Sequence, residues 1–153
     1  MNDGPQYKRI VVPLDGSGFA ELAIPHAAQL ARKHEAELIL LHVYVSPFRA
    51  MADQVVLAGQ EEQMQAVIEN MRVYLVGLRN VLRKEGVQVR EEIIEATGPA
   101  TGIYNYVEAN EVDLVVISTH GRTGITRWLL GSVAQKVVQA VTVPVMLIRP
   151  DAK

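Results

Sequence analysis

The chain has 153 residues, 49% hydrophobic and 21% charged, with a formal net charge of −2. This composition fits a globular protein with room for a core, not a disordered chain, and predicts that residues 1–153 form a single domain. The negative balance leaves no basic stripe for a nucleic-acid backbone, and the lack of cysteine excludes disulfides, thiolate catalysis and cysteine-based metal sites.

No apolar run approaches the ~20 residues of a membrane span, and the opening MNDGPQYKR lacks the apolar stretch of a secretion signal. The expectation is a cytoplasmic protein with no membrane contact. In chain order, Arg9 to Leu14 predicts a short buried strand, with Pro13 at its end because proline has no N–H to offer a ladder. Asp15, Gly16, Ser17 and Gly18 follow, and then Phe19 to Lys33, alanine-rich and helical in spacing. Pro25 either kinks that helix or marks its true start. Glu37 to Val45 is apolar almost throughout and predicts a second strand, which completes a right-handed βαβ unit.

Ser46 to Gly59 breaks the pattern and reads as a loop or a frayed helix start. Gln60 to Glu85 carries Met64, Val67, Met71, Tyr74, Leu75, Leu78 and Leu82 at helical spacing, the stripe of a helix that covers a sheet, and Gly86 ends it. Val87 to Ala96 alternates before turning apolar, as a strand near a sheet edge does. Its Glu91, Glu92 and Glu95 read as a solvated face, not as catalytic carboxylates. Pro99 suits the first turn of a helix over Ala100 to Asn110.

Asp113 to Val138 is the stretch around which the rest is organised. DLVVISTH begins as a nearly continuous apolar run, a parallel strand covered on both faces, and helical spacing resumes with Val133, Val137 and Val141 on one face. Ser132 stands where an N-cap belongs. Gly121, Gly124 and Gly131 lie between the two. A glycine-bearing loop entering a helix N-terminus exposes backbone N–H groups and the positive end of the helix dipole, which suits phosphate; it also fits a plain flexible connection next to a serine cap. Pro144 to Ile148 supplies a fifth strand.

Strands alternating with helices predict an α/β fold, a five-stranded parallel sheet with helices on both faces. Ligands of such sheets sit beyond the carboxyl ends of the strands where the strand order reverses. If the first and fourth strands flank that point, Asp15 faces the loop from Ser118 to Gly131, where a carboxylate can accept from ribose hydroxyls.

The whole chain resembles the universal stress protein family, through VVPLDGS, LLHVY, DLVVISTHGR, LLGSV and VPVMLI. Nucleotide-binding members carry Gly, two residues, Gly, nine residues, Gly, then Ser or Thr. Here the same spacing runs Ser118, Gly121, Gly131, Ser132. The resemblance implies a Rossmann-like, adenine-nucleotide alpha-hydrolase-like fold that binds ATP, with Mg2+ or Mn2+ as its escort. It implies Pro13, Leu14, Asp15 and Val43 around adenosine, and Ile117, Ser118, Gly121, Arg122, Gly131, Ser132 and Val133 around ribose and phosphates. Ser118 departs from the glycine of the pattern, and a side chain there would crowd the nucleotide or force a different backbone angle.

The resemblance also implies a homodimer through the C-terminal strand. Val143 to Ile148 contains no charge to blunt an exposed edge; the other arrangement is a monomer whose tail, Arg149 to Lys153, folds back over it.

Competing motifs are weaker. Gly16, Ser17 and Gly18 match the opening of a dinucleotide fingerprint, but Glu21 takes the third glycine position and would bring negative charge to a pyrophosphate. No P-loop is present, and His26, His34, His42 and His120 show no metal-ligand spacing. His120 and Arg122 are placed to meet phosphate or to serve the loop and the solvent, and Trp128 reads as an apolar anchor or partner contact. No residue stands out as a water-activating base, so at most slow ATP hydrolysis is expected. The alternative reading is a non-nucleotide interaction protein of the same fold, acting as a dimer.

Overall fold

The computed structural model describes residues 4–46, 58–120 and 130–150. Their strands are Arg9–Pro13 (β1), Glu37–Val45 (β2), Val89–Ala96 (β3), Leu114–Ser118 (β4) and Val145–Ile148 (β5), joined in one parallel sheet of order β3-β2-β1-β4-β5. The helices are Gly18–Glu21 (α1), Ala23–His34 (α2), Ala58–Lys84 (α3), Pro99–Ala109 (α4) and Ser132–Ala140 (α5). The order reverses between β1 and β4, which meets the condition under which Asp15 and the loop after β4 share one crevice.

Because successive strand residues point to opposite faces, the continuous apolar runs feed two cores at once. Ile10, Val12, Leu38, Leu40, Leu114 and Val116 face the alanines of α2 and Leu75 and Leu82 of α3. Val11, Ile39, Leu41, Val115 and Ile117 face Ile103 and Val107 of α4 and Val137 of α5.

The helix expected over Phe19 to Lys33 is two helices, interrupted at Leu22. Pro25 is the third residue of α2. In one unbroken helix its ring would collide with the carbonyl four residues back, that of Glu21, and its missing N–H would leave that carbonyl unpaired. The chain stops α1 at Glu21 instead, and the Leu22 N–H turns back to the Phe19 carbonyl at 3.2 Å.

A second expectation also changes. Glu91 and Glu92 are not a solvated face: Glu91 Oε1 accepts from Arg79 Nη1 at 2.6 Å, and Glu92 pairs with Arg90, which also reaches Glu37 at 3.0 Å. β3 is an edge strand, so guanidinium groups from α3 and from β3 itself can reach carboxylates along it. At the end of the sheet away from the carboxyl termini, the Asp113 carboxylate accepts the Lys8 N–H at 2.8 Å and the Arg9 N–H at 3.3 Å, tying β1 to β4.

α3 is engaged unevenly. Its C-terminal half buries Leu75 and Leu82, whereas over residues 59–70 all but the partly buried Met64 and Ile68 are exposed. No helix of the described residues is long and apolar enough to cross a membrane.

Helix α3 ends at Gly86, whose φ is +80°, with the Val87 N–H bonded to the Leu82 carbonyl at 3.1 Å. α2 ends on the same pattern, the Ala36 N–H reaching the Ala31 carbonyl at 2.9 Å, but Glu35 occupies the left-handed position at φ 54°. A side chain there costs about 1–2 kcal/mol, against the ~0.5–1 kcal/mol that glycine loses in backbone freedom. Glu35→Gly is therefore expected to raise stability by up to about 1 kcal/mol, read as a higher denaturant midpoint at unchanged slope.

Candidate functional site

The carboxyl ends of β1, β2 and β4 open into a cavity of about 450 Å³. Its floor comes from the strand ends, its walls from Pro99 and Ile103 of α4, the first turn of α5, Ala20 of α1 and Val67 of α3. The size and the mostly apolar lining are those of a small-molecule site.

Of the residues named from the sequence, Pro13, Leu14, Asp15 and Val43 line this cavity, and so do Ile117, Ser118, Gly131, Ser132 and Val133. Gly121 and Arg122 lie outside the described residues, as does Trp128. Asp15, just past the end of β1, and the first turn of α5 are thus parts of one crevice at the β1/β4 reversal.

The start of α5 differs from expectation. Ser132 is the first helical residue and Gly131 is the cap; no side chain caps the helix. The reason lies in the backbone. The Gly131 N–H donates to the Thr119 carbonyl at 2.7 Å, and the Gly131 carbonyl accepts the Gln135 N–H at 2.9 Å, so Gly131 is held extended against the end of β4. A Cβ at position 131 would lie 2.5 Å from that same carbonyl oxygen. The first turn of α5, without a side-chain cap, lines the cavity, so the positive end of its dipole meets the site.

Ser118 is the last residue of β4, paired with Ile148 and 6% exposed. Its backbone is ordinary: the only non-glycine residues with positive φ among those described are Glu35 and Glu111. The expected change of backbone angle is therefore not required, because a strand position suits serine as well as glycine. Its Oγ turns back to accept the His120 N–H at 3.5 Å, a long bond. Next to it Thr119, 4% exposed, has its Oγ1 2.9 Å from His120 Nδ1.

His42, to which the sequence assigns no role, also lines the cavity. Its Nδ1 lies 2.7 Å from the Leu14 carbonyl oxygen. A carbonyl only accepts, so Nδ1 carries the proton and, in the neutral ring, Nε2 is an acceptor. The apolar contributions of Val67, Pro99 and Ile103 were equally hidden: the sequence reads Val67 as part of the core stripe of α3, yet it is 59% exposed and meets the cavity, and it reads Pro99 only as a helix start.

Among the described residues no group of three acidic or histidine side chains is gathered to hold a metal. Asp15 is the one carboxylate among the described lining residues. That set fits a divalent cation that arrives on phosphates and keeps its water, not one caged by protein.

A parallel sheet with a crevice at its switch point, flanked by a helix N-terminus without a side-chain cap and by a carboxylate, is the architecture of the doubly wound α/β class, whose ligands bind at that point. The universal stress protein family model matches residues 6–149, and the chain belongs to that family. Universal stress protein MJ0531 of Methanocaldococcus jannaschii is 33% identical over 149 residues, covering 96% of this chain and 85% of its own. The structure of MJ0577, from the same organism, superposes with a TM-score of 0.82 at 25% identity, covering 97% of this chain and all of its own. A universal stress protein from Archaeoglobus fulgidus, solved in complex with dAMP, has the same fold with a TM-score of 0.65 at 23% identity, covering 94% of this chain and 99% of its own.

The contact at Gly131 gives a direct test. Gly131→Ala is expected to destabilise the protein by about 1–3 kcal/mol in the absence of any ligand, since a backbone carbonyl cannot move aside as a flexible side chain can. Chemical denaturation of the ligand-free variant measures it.

Proposed function

We propose that this chain is an adenine-nucleotide-binding universal stress protein and that ATP is its ligand. The observation that carries the reading is the convergence, in one mostly apolar crevice, of a helix N-terminus without a side-chain cap and the one carboxylate among the described lining residues. In this reading Pro13, Leu14 and Val43 flank the base and Asp15 accepts from the ribose. Ile117, Ser118, Gly131, Ser132 and Val133 border the ribose and phosphates, with Gly121 and Arg122 completing the loop. The dAMP bound by the Archaeoglobus fulgidus relative supports the adenine nucleotide class. The glycine spacing, matched at Gly121, Gly131 and Ser132, supports a triphosphate, with Mg2+ or Mn2+ held by the phosphates.

Binding of this kind sets conformation and partner choice; no lining residue is assigned to hydrolysis. ATP at 100 times its dissociation constant should add about 2.7 kcal/mol to stability. A thermal melt in millimolar ATP with magnesium is expected to shift upward, and an unchanged melting temperature would count against the ligand.

The partner reading is a homodimer through β5. β5 pairs with β4 on one side and ends the sheet, with Met146 and Leu147 36% and 38% exposed. An uncharged, partly apolar edge is a pairing surface, and a two-fold axis would close both edges together. Val145 packs partly into the core, so Leu147→Lys is the cleaner probe. Light scattering is expected to give twice 16.9 kDa for the wild-type chain and 16.9 kDa for the variant. A wild-type monomer at tens of micromolar would sink this reading.

A further inference from the structure

We propose that Ser17 and Tyr74 are positioning residues for Asp15, and that through them α3 sets how strongly the site recognises ribose hydroxyls; this rests on the nucleotide reading above. The Ser17 N–H and the Ser17 hydroxyl both donate to Asp15 Oδ1, at 2.9 and 2.6 Å. The turn that brings them together passes through Gly16 at φ 87°. Two donors on one oxygen fix the plane of the carboxylate and with it the direction of the other oxygen.

Ser17 is itself anchored. Its Oγ accepts the Ala20 N–H at 3.2 Å and caps α1. A helix of four residues has almost no stability of its own, since nucleation costs more than one turn of hydrogen bonds returns. α1 is therefore held from its ends. At the far end Glu21 Oε1 accepts the Tyr74 hydroxyl at 2.5 Å, and Tyr74 sits half-buried against the core from α3.

The Tyr74 hydroxyl ionises well above the usual tyrosine range, through burial first and then through Glu21 and Asp15, so it remains a donor throughout the neutral range. That Asp15 acts on this hydroxyl places the two ends of the chain of contacts within electrostatic reach of each other. Tyr74, Glu21, α1, Ser17 and Asp15 thus form one connected strut from the α3 face of the core to the rim of the cavity.

A general loss of packing would weaken every nucleotide alike, whereas misdirecting Asp15 weakens only ligands with sugar hydroxyls. The test compares ATP with 2′,3′-dideoxy-ATP, which lacks both hydroxyls, by calorimetry on the wild-type chain, Ser17→Ala, Tyr74→Phe and the conservative Ser17→Thr. Ser17→Ala is expected to lower the ATP to dideoxy-ATP affinity ratio about tenfold, the size of one charge-assisted hydrogen bond. Tyr74→Phe should lower it by a smaller factor, with dideoxy-ATP affinity unchanged in both. Ser17→Thr should restore the ratio. Equal losses for the two nucleotides, or no loss, would overturn the inference alone. A wild-type chain that binds neither nucleotide would overturn the nucleotide reading and this inference with it.

Discussion

The hydrogen bond from the Gly131 N–H to the Thr119 carbonyl, 2.7 Å long, is the constraint on which the site depends. It joins the end of β4 to the start of α5, so the N-terminus of a helix is held against the carboxyl end of a strand. That closure and the pairing of β1 with β4 together build the crevice. The first turn of α5 is left without a side-chain cap, its dipole is directed at the cavity, and β1 with Asp15 lies beside it because β1 and β4 are sheet neighbours. Glycine is needed at the junction for room, not for an unusual backbone angle: its φ is −55°.

Whereas the strand order, which sets the switch point, is fixed by contacts between distant segments, the strands themselves are legible in the sequence because a segment buried on both faces has few alternatives. Glu37 to Val45 shows this best, with bounds the same in sequence and structure. The helices covering the sheet announce themselves by period. The local chemistry of helix ends is harder to read. Ser132 looks like a cap by residue type, yet the cap is decided by a long-range backbone bond to Thr119 that no local pattern encodes. Pro25 permits either a kink or a start, and only the clash with the Glu21 carbonyl in three dimensions selects a break at Leu22. Glu91 of β3 looks solvated because its partner, Arg79, comes from another element.

The site shows the same division. The residues named from the spacing and the resemblance that fall within the described parts all line one cavity. The missing ones, such as His42, sit in segments already explained by packing. A strand residue in an apolar run carries no sign that its side chain meets a carbonyl of the neighbouring strand end, as His42 meets that of Leu14. Ser118 illustrates the reverse. It looks like a defect in a glycine pattern, but as the final residue of β4 it occupies a conformation any residue adopts.

The uneven seating of α3 has a consequence for the cavity's mechanics. Val67, 59% exposed, belongs to the half of that helix with the least buried side-chain area, whereas Ile117 opposite is fixed inside the sheet. The two walls therefore differ in compliance: one is a strand in a closed ladder, the other a helical segment whose local opening costs far less than global unfolding. An occupant touching both walls would lose little in meeting the strand and would quench motion in the helix. Part of its binding free energy would then appear as lost entropy along α3, remote from the atoms it contacts.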